Sequence, residues 1–326
     1  MPKALELKLF APGKLFVLGE WAVLRGAPAV IAPSPGGQRG VAVLDPEGSG
    51  LFRYRSPGFE GPPKIDVVGC VDRACRRRFG PPRGDLTLTV RSEGLGEGGL
   101  KLGFGSSGAV AAVVARALAF AAGVEDARAV HDAAQEGHRE AQGGRGSGAD
   151  VATSCLFTDP PLPGSGAPDR QCAIFERAQD GGVAVRAADR PVALAAVWTG
   201  READTRALID AVSASARAVE ILEGLVEVSR QGAAAWVRGD GAGVLEAAAA
   251  AGERLAAMGR AAGAPIWTPE HEAIAAACPE GVVAKPSGAG GGDMAVLLAL
   301  EEGALVEARA RLAEAGYGVF IHLSGR

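Results

Sequence analysis

The stretch KLGFGSSGAV, residues 101–110, is rich in glycine and leads directly into an apolar helical pattern. Its spelling, Gly-x-Gly-x-x-Gly over positions 103–108, is that of the dinucleotide-binding fingerprint. In that fold a second strand follows the helix and presents an acidic residue at its end. Here the acidic residues about 20 positions further on, Glu125 and Asp126, begin a second helical stretch. The fingerprint therefore lacks the unit that would make it a dinucleotide site.

A phosphate-binding loop is a simpler explanation of the same residues. Gly103 and Gly105 allow backbone N–H groups to turn towards a ligand. Ser106 and Ser107 stand at the amino end of the predicted helix, where partial positive charge attracts anions. A hydroxyl in this place can also bind Mg²⁺. Serines that only cap a core helix would have the same sequence, and the Walker A spacing is absent, so both interpretations stay open.

Composition and charge limit the class of protein. A chain of 326 residues with 48% hydrophobic and 22% charged residues predicts a globular protein of two domains. The net charge of -4 is spread along the chain, which does not favour a nucleic-acid or membrane partner. No secretory signal is visible, and the most apolar window, 109–124, is too short to span a bilayer. We expect a cytoplasmic protein with five reduced cysteines and no transition-metal site.

The periodicity predicts a mixed α and β chain whose composition changes after about residue 200. We place a domain boundary between about 185 and 200. Strands are predicted at LELKLF, KLFVLGEWAVL, GVAVLD, LFRYR, DLTLTVRSEG, CAIFER, GVAVRA, PVALAAVWTG and YGVFIHLS, and helices over 106–123, 125–142, 203–231, 241–262 and 302–315, with a Pro- and Gly-rich loop over 159–170.

Two further segments stand on either side of the glycine-rich loop. They are APGKLFVLGEWAVL, residues 11–24, and KPSGAGGGD, residues 285–293. Together the three motifs, in this order, resemble those of the GHMP kinase superfamily, named for galactokinase, homoserine kinase, mevalonate kinase and phosphomevalonate kinase. The resemblance runs nearly end to end. It implies a two-domain α+β GHMP kinase fold, with a ribosomal-S5-domain-2-like domain over 1–190 and a ferredoxin-like α/β sandwich over 191–326.

Two stretches resemble the phosphomevalonate kinase branch of that superfamily. HREAQGGRGSGADVA, residues 138–152, is similar to its A-H-x-x-A-Q-G-x-x-G-S-G-x-D-V-A signature, and VWTGREADTRALI, residues 197–209, to its W-T-G region. The resemblance implies ATP- and Mg²⁺-dependent phosphorylation of (R)-5-phosphomevalonate to (R)-5-diphosphomevalonate, in the mevalonate route to isoprenoids. The alternatives are a mevalonate kinase or other small-alcohol kinase, and a non-catalytic ligand-binding homologue. We expect a monomer or homodimer.

The same resemblance implies the site residues. Asp150 is expected as the catalytic carboxylate, and Lys14 beside the transferred phosphoryl group; only six of the 34 basic residues are lysines, and a compact ammonium suits phosphate. Mg²⁺ is expected on Ser107 and on a Glu upstream of Asp150, either Glu140 or Glu136. ATP is expected at Lys101, Gly103, Gly105, Ser106, Ser107 and Gly108, and the second substrate at Lys14, Arg145, Ser147, Thr205, Arg206, Ser287, Gly288, Ala289 and Gly290.

Three positions depart from the family pattern. Phe104 and Gly108 stand where the family usually has Leu and Ala, and both keep a helix start. Asp204 stands where the family usually has Ser, close to the expected anionic substrate. An acid beside a phosphate would repel it, so the role of Asp204 is open.

Asp150 follows Gly148 and is expected on a turn.

Overall fold

The computed structural model divides the chain into two compact units, each built from several segments. Because these segments alternate along the chain, the linear division into 1–190 and 191–326 stays a prediction. Unit 1 comprises Met1–Lys14, Pro33–Gly99 and Phe104–Gly166, and unit 2 comprises Leu15–Ala32, Leu100–Gly103 and Ala167–Arg326. The structure describes residues 4–57, 59–61, 66–94, 96–97, 100–101, 103–144, 146–164, 166–177 and 182–323.

Unit 1 is a sheet covered by helices. The strands are β1 (Leu5–Leu18), β2 (Ala29–Asp45), β3 (Phe52–Ser56), β4 (Phe59–Gly61), β5 (Asp85–Glu93), β6 (Gly96–Glu97) and β7 (Leu100–Lys101), of which β1 and β2 continue into unit 2 and β7 lies in unit 2. In unit 1 the strand order is β4-β3-β5-β2, β5 is parallel to β3 and antiparallel to β2, and β1 pairs with β2. Alternate residues of β5, Leu86, Leu88 and Val90, are buried, as expected for a strand with one face on a core.

The helices of unit 1 carry its core. They are α1 (Val67–Phe79), α2 (Ser106–Ala122), α3 (Ala127–Ala141) and α4 (Ala149–Leu156). Most of α2 is buried, and its residues are chiefly alanine and valine. Small side chains allow helices to approach closely, so α2 lies at the centre of unit 1 with α1, α3 and α4 in contact with it.

Unit 2 contains a β-hairpin, β8 (Gln171–Arg177) and β9 (Val183–Asp189), which extends the first residues of β2. A four-stranded antiparallel sheet follows in the order β11-β12-β10-β13. Its strands are β10 (Ala193–Trp198), β11 (Val282–Pro286), β12 (Met294–Ala299) and β13 (Phe320–His322), and the helices of unit 2 are α5 (Thr205–Ala214), α6 (Ala216–Arg238), α7 (Gly241–Ala262), α8 (Pro269–Ala277) and α9 (Glu302–Glu314).

Most of the predicted helices and strands are confirmed, with several differences. The helix predicted over 203–231 is two helices, because Ser215 ends α5 and caps α6 by accepting a hydrogen bond from the N–H of Ala218 at 3.2 Å. The strand predicted as far as Leu24 ends at Leu18 and is followed by a short 3₁₀ helix, Ala22–Arg25. Helices α1 and α8 were not predicted, and neither was α4.

The described cysteines are free thiols. Burial raises the pKa of Cys155 to about 12 and that of Cys172 to about 11, so both behave as inert core side chains. Over the part of the chain that the structure describes, no helix combines the length and the apolarity needed to cross a membrane.

Candidate active site

The amino end of α2 is open to a ligand. Gly105 is the N-cap residue, with a left-handed φ of 70°, and no side chain caps this helix among the described residues. Ser106 and Ser107 are the first two residues of α2 rather than its cap. The interpretation as serines that only cap a helix is therefore wrong, and no side-chain cap occupies the N–H groups of Ser106 and Ser107.

Lys14 and Asp150 both lie against Gly105, within unit 1. A Cβ atom built on Gly105 would be 3.1 Å from Cγ and Cε of Lys14 and 3.5 Å from Cβ of Asp150. The backbone N–H of Lys14 donates to the carbonyl of Phe104 at 2.7 Å, which fixes β1 to the loop. Glycine is needed at position 105 both for its positive φ and for the space that Lys14 occupies.

Asp150 lies in the first turn of α4, so the expectation that it stands on a turn is wrong. Gly148 caps α4 with a φ of 78°, and its carbonyl accepts a 2.6 Å hydrogen bond from the side chain of Gln135. A Cβ atom on Gly148 would be 2.4 Å from Oε1 of Gln135, which explains the glycine. Ser147 Oγ accepts from the N–H of Ala149 at 3.2 Å. The carboxylate of Asp150 is therefore carried by helix α4, whose first turn is held by these hydrogen bonds.

Gly108 allows α2 and α4 to approach one another beside Asp150. A Cβ atom on Gly108 would lie 3.0 Å from the carbonyl carbon, Cβ and Cγ of Asp150. This is shorter than an ordinary carbon–carbon contact of about 3.5 to 4.0 Å. The glycine that replaces the usual alanine is therefore part of the packing of Asp150.

His138 was missed in the sequence analysis, although it begins the stretch compared with the family signature. It is 7% exposed and lies near the end of α3. Its Nε2 atom lies 3.1 Å from Oγ of Ser107 and 3.6 Å from Oδ2 of Asp150. One imidazole nitrogen thus faces both the hydroxyl and the carboxylate that the sequence singled out.

Glu140 and Glu136 form ion pairs with helix α1. Arg73 donates to Oε1 of Glu140 at 2.7 Å, and Arg77 lies 3.6 Å from its Oε2 atom. Arg77 and Arg78 contact Glu136 at 2.8 and 3.0 Å. The hydrogen bond from Arg73 lowers the pKa of Glu140. Both carboxylates therefore have arginine partners, and their metal role stays a prediction.

A cavity of about 470 Å³ opens beside the first residues of α2, within unit 1. Its wall combines apolar side chains with hydroxyl and carboxyl groups, a mixture typical of small-molecule sites. The lining residues are Tyr54, Ser56, Asp66, Val67, Val68, Ser106, Ser107 and Val110.

In unit 2 the segment KPSGAGGGD is anchored to the segment LFVLGEW. Lys285 forms a fully buried ion pair with Glu20. The indole N–H of Trp21 donates to the carbonyl of Ala289 at 3.2 Å, and Ser287 Oγ donates to the carbonyl of Phe16 at 3.0 Å. Two of the three sequence motifs are therefore joined by direct contacts.

Gly103 belongs to this assembly in unit 2. A Cβ atom on Gly103, whose φ is 73°, would lie 2.6 Å from Cγ and Oδ2 of Asp293. The carboxylate of Asp293 accepts from the N–H of Ala203 at 3.2 Å, and its own N–H donates to the carbonyl of Arg201 at 2.6 Å. Asp293 thus joins Gly103 to the segment that precedes α5.

Asp204 is the N-cap of α5. Its Oδ1 atom accepts hydrogen bonds from the N–H groups of Arg206 and Ala207, both at 3.1 Å. Serine is an equally good N-cap residue, which explains why an acid can replace the usual Ser here. Thr205 and Arg206 begin α5 and are exposed.

The predicted site residues are divided between the two units. Arg145 and the side chain of Lys101 lie outside the described residues. Unit 1 holds Lys14, Gly105, Ser106, Ser107, Gly108, Glu140, Ser147 and Asp150, and unit 2 holds Gly103, Thr205, Arg206, Ser287, Gly288, Ala289 and Gly290.

Comparison with known proteins assigns the chain to a class of phosphotransferases. Residues 67–157 match the model of the GHMP kinases N terminal domain. The chain belongs to the GHMP kinase family. It is 30% identical to the phosphomevalonate kinase of Streptomyces sp. (strain CL190), over an alignment of 342 residues that covers 88% of each protein.

Solved structures have the same mixed α+β fold. A Lin0012 protein from Listeria innocua superposes with a TM-score of 0.80 at 19% identity, over 98% of this chain and 96% of that one. The phosphomevalonate kinase of Streptococcus pneumoniae, in complex with phosphomevalonate and AMPPNP, superposes with a TM-score of 0.74 at 20% identity, over 98% of this chain and 99% of that one. The predicted α+β fold class and the predicted family are therefore confirmed.

Proposed function

We propose that this GHMP kinase transfers the γ-phosphoryl group of ATP to (R)-5-phosphomevalonate, forming (R)-5-diphosphomevalonate in the mevalonate route to isoprenoids. The observation that carries the proposal is the placement of Lys14, Ser107 and Asp150 around the uncapped amino end of α2. The choice of acceptor is supported by the similarity to the Streptomyces phosphomevalonate kinase along 88% of both chains.

The phosphates of ATP are placed at the start of α2, where the N–H groups of its first turn and the helix dipole favour negative charge. The nucleoside is placed in the cavity beside Ser106 and Ser107, whose volume of about 470 Å³ lies in the range of small-molecule sites. The side chain of Lys14 packs against Gly105 through Cγ and Cε, and its ammonium group neutralises charge on the transferred phosphoryl group.

The residues present fit Mg²⁺ as the accompanying ion. The hydroxyl of Ser107 and the carboxylate of Asp150 are hard oxygen donors, and both lie within 3.6 Å of His138 Nε2. Among the described residues no group of three or more His, Cys, Asp or Glu side chains forms a metal site. Because Mg²⁺ keeps several waters and takes phosphate oxygens, few protein ligands suffice; when bound, it neutralises phosphate charge.

Glu140 is a second candidate for this ion. Arg73 and Arg77 compete with a metal for its two oxygens, so we rank Ser107 first. A Glu140→Gln variant tests the assignment directly. An increase in the Mg²⁺ concentration required for half-maximal activity would support Glu140 as a ligand, whereas an unchanged requirement would leave it as an ion-pair residue of α1 and α3.

Asp150 has an orienting and electrostatic role when the acceptor is a phosphate. The second pKa of a phosphate monoester is about 6, so the attacking oxygen is largely ionised at neutral pH and needs no general base. Asp150 then holds the acceptor in line with the γ-phosphoryl group, and Lys14 stabilises the charge in the transition state. With mevalonate as acceptor, Asp150 would instead remove the hydroxyl proton.

The acceptor requires cations of its own, and bidentate arginine suits a terminal phosphate. We assign this role to Arg206 and Arg145, of which Arg206 is exposed at the start of α5. Neutralising either should raise KM for the phosphorylated acceptor and leave KM for ATP unchanged. The remaining proposed contacts to the acceptor are Lys14, Ser147, Thr205, Ser287, Gly288, Ala289 and Gly290, and those to ATP are Lys101, Gly103, Gly105, Ser106, Ser107 and Gly108.

A coupled ADP-release assay with phosphomevalonate, mevalonate and homoserine tests the proposal. We expect turnover with phosphomevalonate and not with the other two acceptors. Turnover only with an unphosphorylated alcohol would refute the proposed acceptor and indicate a small-alcohol kinase. Tight nucleotide binding without any turnover would indicate a non-catalytic homologue. An Asp150→Asn variant should lose turnover by at least about 100-fold while its ATP affinity is nearly unchanged.

A further inference from the structure

The imidazole of His138 contacts both Ser107 and Asp150 within unit 1. We propose that His138 is a positioning residue, whose Nε2–H group holds the hydroxyl of Ser107 in the orientation that binds the nucleotide-associated metal ion. The proposal rests on the proposed kinase function, but only on its nucleotide side, and is independent of which acceptor the enzyme uses.

The burial of His138 makes this contact specific. Only 7% of the residue is exposed, and a buried polar group requires a hydrogen-bond partner. Its Nε2 atom lies 3.1 Å from the hydroxyl of Ser107, in the first turn of α2. Three helices meet here, because His138 lies on α3, Ser107 on α2 and Asp150 on α4. A buried imidazole at this junction can orient groups on both neighbouring helices.

The neighbouring carboxylate decides which partner donates the hydrogen bond. Oδ2 of Asp150 lies 3.6 Å from Nε2 of His138. A lone pair on Nε2 would face this negatively charged oxygen and repel it, whereas a proton on Nε2 is attracted by it. We therefore assign the hydrogen to Nε2 and make His138 the donor to Ser107 Oγ.

This direction of donation leaves the hydroxyl ready for a metal ion. A serine oxygen has two lone pairs and one hydrogen. When His138 donates to one lone pair, the other can bind Mg²⁺, and the hydrogen points away from both. Without the imidazole the hydroxyl can adopt other χ1 rotamers, because it is not held by capping α2. Groups that orient metal ligands in this way affect metal affinity by about 10- to 100-fold.

The experiment measures equilibrium binding of ADP to the full-length chain, in excess Mg²⁺ and in EDTA. His138→Leu removes the donor, and His138→Gln keeps an N–H at similar reach. We expect the Leu variant to bind Mg²⁺·ADP about 10- to 100-fold more weakly than the wild type, with its affinity for metal-free ADP unchanged. The Gln variant should recover most of the loss. In Ser107→Ala the His138→Leu change should have no further effect, because His138 acts through Ser107.

His131 provides the matched control. It lies on the same helix, is 6% exposed, and contacts Asp132 and Gln135 rather than Ser107. His131→Gln should leave the Mg²⁺-dependent part of ADP binding at the wild-type value. Circular dichroism and urea unfolding of each variant establish that the chain is folded before binding is compared.

Two results would overturn the proposal. Equal weakening of ADP binding with and without Mg²⁺ in His138→Leu would show that the imidazole only fills space. A folded His138→Gln variant that binds Mg²⁺·ADP as weakly as His138→Leu would show that an N–H donor is not what the site requires. Failure of the wild type to phosphorylate phosphomevalonate would refute the acceptor assignment alone, because no acceptor is present in the binding measurement.

Discussion

Gly108→Ala adds a single methyl group between α2 and Asp150, the carboxylate that we propose for catalysis. The new Cβ atom would lie 3.0 Å from three carbon atoms of Asp150, its carbonyl carbon, Cβ and Cγ. Since ordinary carbon–carbon contacts are about 3.5 to 4.0 Å, Asp150 must move by about 0.5 Å. Two of these atoms belong to the side chain and one to the backbone of α4, so a rotamer change of Asp150 alone cannot relieve the contact.

The stability and the activity of this variant should change by different amounts. Alanine is better than glycine in a helix by up to about 1 kcal/mol, and overpacking typically costs about 1 to 3 kcal/mol. The free energy of unfolding should therefore fall by only about 0 to 2 kcal/mol. A misplacement of 1 Å in an active site can cost about 100-fold in rate, so a shift of half that size should lower kcat about 10-fold, or about 1.4 kcal/mol in the barrier.

The measurement pairs steady-state kinetics with urea unfolding. We expect kcat to fall about 10-fold while KM for ATP changes little, because the start of α2 itself is not displaced. Gly303→Ala is the control: Gly303 also lies in the first turn of a helix, α9, and a Cβ atom there has no neighbour within 4 Å. This control should retain the wild-type kcat.

A Gly108→Ala enzyme with the wild-type kcat would refute the reasoning. It would show either that Asp150 does not act in phosphoryl transfer or that the enzyme tolerates its displacement. Asp150→Asn separates these two explanations, since loss of turnover in that variant keeps Asp150 in the mechanism and assigns the tolerance to α4.

Three further predictions concern charged and titratable groups. Glu20→Gln leaves the buried ammonium of Lys285 without its anion, so urea unfolding should show a loss of about 3 to 5 kcal/mol. Asp204→Ala should lower the free energy of unfolding by about 1 kcal/mol, because the cap of α5 is lost, and Asp204→Ser should lower it by less. KM for the acceptor should be unchanged in both variants. A lower KM in the Ala variant would indicate that the acid repels the substrate. Burial lowers the pKa of His271 to about 4, so the unfolded chain takes up a proton first as pH falls, and unfolding free energy should decrease by about 3 kcal/mol between pH 6.5 and 4. His271→Gln should remove this dependence if the histidine is its source.

The elements that local sequence determines were predicted well. Helix α2 was predicted over 106–123 and occupies Ser106–Ala122. A long apolar run with helical periodicity after a glycine-rich loop is typical of a buried helix. Helix α1 was missed although Asp66 accepts from the N–H of Gly69 at 3.1 Å, as N-cap residues do. The arginine-rich end of α1 obscured its apolar side, which becomes recognisable only against α2 and α3.

The role of Asp204 shows how a substitution can mislead when only its charge is considered. Against the family pattern an acid in place of serine suggested repulsion of an anionic substrate. In the structure the carboxylate accepts two backbone hydrogen bonds at 3.1 Å, which serine can also do through its hydroxyl. The two residues share the ability to cap a helix, which a comparison of their charges does not show.

The parts of the site that could not be predicted depend on contacts between distant residues. His138 lies 31 positions from Ser107 along the chain. The sequence places it in the stretch that resembles the family signature, but gives no indication that its imidazole contacts Ser107. Gly108 is likewise explained only by Asp150, a residue on another helix. If the His138 and Gly108 variants behave as expected, the carboxylate proposed for catalysis and the hydroxyl proposed for metal binding are positioned by two residues whose decisive contacts lie on other helices. Their tests are independent, because one measures nucleotide binding and the other turnover.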